Sequence, residues 1–140
     1  NCVTDEHRTL ILVRDRFKLS ETMKVMNRAM IPYHVFGGWS PWTSVLANDI
    51  RDGKKTWHDA PAHWQEFYSQ ADLTQPINID LSTIHQAKGR EEHRVIVDLE
   101  LPARVLEGLT RDQDAELRVM YVALTRAKEE LILCGSNPLI

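Results

Sequence analysis

Residues Leu10, Ile11, Leu12 and Val13 form an unbroken aliphatic run that opens at Thr9 and stops at a cation, Arg14. A strand with one wet face alternates apolar and polar side chains, so an uninterrupted run implies burial on both faces, the condition of a parallel α/β sheet. Parallel strands need crossovers, and the sequence supplies them. Ser20 is a candidate N-cap, and Leu19, Met23, Met26 and Met30 recur at helical spacing until Ile31-Pro32 ends the pattern. Tyr33-His34-Val35-Phe36 is a short strand candidate closed by Gly37-Gly38. Further on, Ile77, Ile79 and Leu81 alternate with Asn78 and Asp80, and Arg94-Val95-Ile96-Val97 and Leu131-Ile132-Leu133-Cys134 each predict a buried strand, the last with a buried thiol. Leu101 to Leu109 reads as a loop with a helical turn. Thr110-Arg111-Asp112-Gln113 has the form of a capping box and predicts a helix from about Arg111 to Arg126. Strands alternating with helices over 140 residues define one α/β domain.

Residues 39–76 break that alternation. All four tryptophans, Trp39, Trp42, Trp57 and Trp64, fall there, punctuated by Pro41, Gly53, Pro61 and Pro76. The spacing predicts an insertion of short helices near Thr43 to Arg51 and Ala60 to Gln70. Its five carboxylates outnumber its three cations, so tryptophans that pack the insertion are favoured over tryptophans that stack on bases.

The net charge of −3 means that any contact with nucleic acid comes from locally placed cations. No apolar run approaches the length of a membrane helix and the N-terminus lacks the build of a signal peptide, so a cytoplasmic protein is expected. The first residue is not Met, which suggests a piece of something larger. Cys2 and Cys134 match no zinc or redox spacing, the six histidines are scattered, and no metal site is expected. The Gly53-Lys54 pair has Asn48 and Lys55 where a phosphate-binding loop requires Gly and Ser or Thr. A self-contained catalytic centre is therefore not expected.

The final helix carries two apolar stripes. Leu117, Met120, Tyr121 and Leu124 occupy one, expected to face the sheet, while Val119 and Val122 lie roughly opposite. Arg126, nine residues after Leu117, falls on the second stripe and is expected to point away from its own sheet. The remaining candidates are polar groups at the ends of elements, where open α/β sheets bind ligands: Arg14 and the stretch Thr83 to Glu91.

Thr-Ile-His-Gln-Ala-Lys-Gly-Arg-Glu at Thr83 to Glu91, followed by Glu-Leu-Arg-Val-Met-Tyr-Val-Ala-Leu-Thr-Arg-Ala-Lys at Glu116 to Lys128, resembles motifs V and VI of the UvrD/Rep/PcrA family of superfamily 1 DNA helicases. The strand end Leu12-Val13-Arg14 is similar to motif IV of that family, and Ile31 to Gly38 is similar to the segment that follows it. The resemblance covers residues 9–38 and 77–135. It departs at Arg90, where the family has Leu, and at residues 39–76, where the family inserts a large subdomain.

The resemblance implies a RecA-like parallel sheet flanked by helices, the second such domain of an ATP-dependent motor, spanning residues 1–140 with an insertion at about 39–76. Arg126 and Arg14 resemble cations that reach the γ-phosphate, and Glu91 resembles an acid that contacts the ribose, with Lys88 and Gly89 holding its loop. Thr83 and His85 look like contacts to single-stranded DNA, while Glu116, Arg118 and Tyr121 match supporting positions. ATP with Mg²⁺ would be bound jointly with a first RecA-like domain that this chain lacks, so the chain alone would not hydrolyse it. Single-stranded or duplex DNA would be the other partner, with movement 3′ to 5′. The alternative is an inert helicase-like remnant that binds protein or DNA.

Overall fold

The computed structural model describes residues 8–87, 91–98, 118 and 121–134. The predicted loop after β4, the capping box and the start of the final helix lie outside these residues. Among the described residues five strands, β1 (Thr9–Val13), β2 (His34–Val35), β3 (Ile79–Thr83), β4 (Glu92–Asp98) and β5 (Ala127–Cys134), form one sheet in the order β2-β3-β1-β4-β5. Each of their pairings is parallel, as the aliphatic run of β1 requires. The mixed α/β architecture with helices against a parallel sheet is that of a RecA-like domain.

Strand β1 lies at the centre and is buried along almost its whole length. Its successive side chains enter opposite layers. Leu10 and Leu12 join Val95, Val97, Ile84, Ala87 and Ala123 on one side, and Ile11 packs with Leu81, Val35 and Tyr33 on the other.

The helix α1 (Arg16–Arg28) begins four residues before the expected cap. Asp15 is the N-cap, its carboxylate accepting the Lys18 N–H at 3.1 Å, while Ser20 sits exposed on the helix surface. The helix ends where Ile31 N–H donates to Met26 O, with Met30 in the left-handed region at φ 56°. A non-glycine residue there is strained.

The insertion folds as α2 (Val45–Arg51), a 3₁₀ turn at Trp57–Asp59 and α3 (Ala62–Gln70). It packs on the α1 side of the sheet: Trp42, Phe67 and Tyr68 share one apolar cluster with Met26, Tyr33, Val35 and Leu81. Polar clasps brace it internally, and one, from Ser40, ties it to the residue before β2. Ser40 Oγ donates to Tyr33 O at 2.7 Å, Tyr68 OH donates to Pro41 O at 2.8 Å, and Arg51 donates to both Leu73 O and Trp42 O. The expectation that tryptophan packs this segment holds for Trp42, only 1% exposed, whereas Trp39 remains 49% exposed.

Two expectations fail at the C-terminal end. The last strand begins at Ala127 rather than Leu131 and is not buried: Leu131, Ile132 and Leu133 are each more than a third exposed. Among the described strands it is the edge of the sheet, paired with β4 on one side. Cys134 is accordingly exposed, not buried, and its Sγ donates to Val97 O. Partial burial, with the Asp98 carboxylate nearby, holds the thiol above its ordinary pKa.

The orientation of the final helix is also reversed. Residues 121–124 are helical, and it is Val122 and Ala123 that pack on the sheet while Tyr121 is 69% exposed. Among the described residues, no helix is long and apolar enough to cross a membrane.

Candidate functional site

Because the five strands run in the same direction, the sheet has two chemically distinct edges. At the C-terminal edge Val13 is level with Thr83, so Arg14, Thr83 and His85 are gathered there. Residues 84–87 form a turn in which Thr83 Oγ1 accepts the Gln86 N–H and Thr83 O accepts the Ala87 N–H. Thr83 thus helps to hold the turn and is only 8% exposed, while His85 and Gln86 project into solvent.

The same edge carries a small cleft of about 50 Å³ lined by Arg16, Gly37, Gly38, Thr83 and Gln86. Gly37 adopts φ +68°, a conformation that strains any residue with a side chain, and it sits against the Gln86 amide, 2.9 Å from where a Cβ would lie. Arg16 is exposed. Neither Arg16 nor Gln86 was picked out from the sequence; the signal that could have found Arg16 is its position two residues beyond Arg14, in the first turn of the crossover helix.

Glu91 and Arg126 lie at the other edge. Glu91 immediately precedes β4, and Arg126 immediately precedes β5, where its carbonyl accepts the Glu92 N–H at 3.0 Å. The Arg126 side chain is partly buried; its Nε donates to Val122 O at 3.1 Å and its Nη2 to Thr125 Oγ1 at 3.3 Å. Val122 packs on the sheet, so Arg126 does not follow a stripe directed away from it.

The structure therefore brings Glu91 and Arg126 together and groups Arg14 with Thr83 and His85, but it does not bring Arg14 to Arg126. Thr9 is level with Arg94 and Ala127 with Glu92, which offsets the two arginines by about eight residues of strand, on the order of 26 Å at ~3.3 Å per residue. Two side chains within one domain do not converge across that span. Lys88, Gly89 and Glu116 lie outside the described residues; Arg118 is helical and exposed. Among the described residues, no group of three or more His, Cys, Asp or Glu side chains could hold a metal.

No solved structure matches the chain. A probable DNA helicase II homolog from Mycoplasma capricolum is 40% identical over 79 residues, covering 51% of this chain and 11% of that protein. An ATP-dependent helicase/nuclease subunit from Limosilactobacillus reuteri is 47% identical over 47 residues, covering 33% of this chain and 3% of that protein. The chain thus spans a small fraction of the relatives it matches. The matching family model extends over residues 65–137, which include β3 with its turn, both edge clusters other than Arg14 and Arg16, and β5. On that match, and on the parallel sheet that displays those residues, the chain belongs to the UvrD-like helicase C-terminal domain family.

Proposed function

We propose that the chain is the second RecA-like domain of an ATP-driven DNA motor whose two ligands meet opposite edges of its sheet. Glu91 and Arg126 face the nucleotide, Arg126 toward the γ-phosphate and Glu91 toward the ribose. His85, Arg14 and Arg16 face the single strand, with Thr83 and Gln86 shaping their loop and Lys88 and Gly89 leading from that loop toward Glu91.

The observation that supports this most directly is the separation of the two clusters along the strands. A domain that couples hydrolysis to movement holds both ligands at once and needs them on different sides. The reading moves Arg14 from the nucleotide group, where the sequence resemblance put it, to the strand group.

The donors at the Glu91 edge, one guanidinium and one carboxylate, suit a phosphate and a sugar hydroxyl. Magnesium ligands and the phosphate-binding loop are assigned to a first RecA-like domain, since no such loop occurs in these residues. A cation at the γ-phosphate stabilises charge as the phosphoryl group departs. Closure of the two domains on ATP then shifts the grip of the Thr83 turn on the strand.

DNA-stimulated ATP hydrolysis by the full natural protein tests the reading. Arg126→Ala is expected to lower turnover at least about 100-fold, roughly 2.7 kcal/mol of transition-state stabilisation. Arg14→Ala is expected to raise the DNA concentration for half-maximal stimulation and to reduce the salt slope of DNA affinity by about one. Normal turnover in Arg126→Ala sinks the nucleotide assignment. An Arg14→Ala protein that fails at saturating DNA as Arg126→Ala does sinks the two-edge assignment. A natural protein with no turnover at all returns the domain to an inert binding module.

A further inference from the structure

The insertion and its junction with α1 carry two adjoining hollows that neither sheet edge uses. One, of about 430 Å³, is lined by Trp39, Val45, Leu46, Pro61, His63 and Trp64. The other, of about 480 Å³, is lined by Lys24, Arg28, Met30, Glu66 and Phe67 together with the same His63 and Trp64, which form the shared wall.

Each hollow has its own chemistry. The first has no Asp, Glu, Lys or Arg in its lining, and it displays Trp39 at 49% and Val45 at 76% exposure. Trp39 is held edge-to-face on Trp64 at 5.2 Å, an exposed but fixed aromatic of the kind that anchors interfaces. The second hollow is rimmed by Lys24 and Arg28, one turn apart on α1, both exposed. Glu66 is the one carboxylate among its lining residues, so the hollow is net positive. Met30 lines it from its strained left-handed backbone.

We propose that this face docks a short acidic segment of a partner protein, an aromatic or aliphatic side chain entering the Trp39–Trp64 hollow and flanking carboxylates meeting Lys24 and Arg28. The proposal is independent of the ligands at the sheet edges. A nucleic-acid strand is the poorer occupant, because the Trp39–Trp64 hollow has no Lys or Arg in its lining and a phosphate backbone crossing it would meet no cation there. Aromatic-lined hollows beside cations are a recurrent way of reading short peptides.

Selection from a randomised peptide library displayed on phage, against the full natural protein, tests this. Enriched sequences should place Phe, Trp or Leu among Asp and Glu. Synthetic peptides of those sequences should bind at least about tenfold more weakly to the Lys24→Glu/Arg28→Glu protein and to Val45→Asp, both surface changes whose folding circular dichroism verifies. The proposal is overturned if no sequence is enriched, if the enriched peptides are basic, or if either variant binds them as the parent does. It is likewise overturned if oligothymidylate displaces the peptides or if the protein self-associates through this face.

Discussion

Replacing Trp42 separates two contributions that usually travel together, the volume of an indole and the hydrogen bond of its N–H. The side chain is 1% exposed, packs edge-to-face on Phe67 at 5.2 Å, and buries an Nε1 that has no hydrogen-bond partner among the described residues. Trp42→Ala removes the ring from a close-packed cluster and should cost about 3–5 kcal/mol. Trp42→Phe removes far less. It leaves a void on the order of 40 Å³, which at ~24 cal/mol per Å³ costs about 1 kcal/mol, with a transfer loss of similar size. Against this, it eliminates a buried unsatisfied donor that is destabilising by about 1–3 kcal/mol. The two effects nearly cancel, so Trp42→Phe should lie within about 1 kcal/mol of the parent. Urea unfolding followed by far-ultraviolet circular dichroism distinguishes the cases: at a slope of ~2 kcal/mol per M, Trp42→Ala should lower the midpoint by roughly 2 M while Trp42→Phe barely moves it. A Trp42→Phe loss as large as that of Trp42→Ala would refute the reasoning, because it would mean the N–H contributes a bond that the ring geometry does not reveal.

Asp80→Asn should destabilise the domain by about 2–3 kcal/mol, read as a lower melting temperature, since the nearly buried carboxylate accepts from Arg8 at 2.7 Å and lies 3.3 Å from His34 Nδ1. An unchanged melting temperature would show that Arg8 and His34 find other partners. Stability should also fall as pH rises from about 10 to about 12. Burial pushes the Tyr33 phenol up to about 12 against the pull of its bonds with Asn27 and Ser40, and burial raises Tyr68 in the same direction. Over that window the unfolded chain gives up the Tyr33 proton while the folded chain keeps it; below about pH 10 both forms hold it and the stabilisation is fully present. Tyr33→Phe should flatten the urea midpoint against pH across this range, and an equally steep fall in the variant would assign the effect elsewhere.

The strands were legible in the sequence because their signal is uninterrupted: Leu10 to Val13 and Val95 to Val97 cannot be placed anywhere wet. What was not legible followed from competition or from topology. Asp15 and Ser20 both suit a helix start, and nothing local decides between them until the crossover must turn away from β1. The last helix presents a different face from the one its stripes suggest because Ala123 contributes little to an apolar stripe yet fits flush on the sheet, whereas Tyr121 keeps its ring outside. Leu131 to Leu133 looked like a core strand since an apolar run does not disclose whether its strand has one neighbour or two. The site divided along the same line. Thr83 and Glu91 are eight positions apart and invited treatment as one motif, but a parallel β3 and β4 oblige the chain between them to travel back along the sheet. Their clusters consequently sit at opposite edges, and sequence proximity concealed it.

The apolar cluster in which Trp42, Phe67 and Tyr68 meet Tyr33, Val35 and Leu81 has a mechanical meaning. The insertion has no seam of its own at which to pivot; its interior is the interior of β2 and β3. A load applied at Trp39 or Val45 passes through close-packed side chains into the strand that ends at Thr83, without the slack of a hinged appendage. Whatever grips the outside of the insertion thereby pulls on the same rigid body that carries the turn at the C-terminal edge.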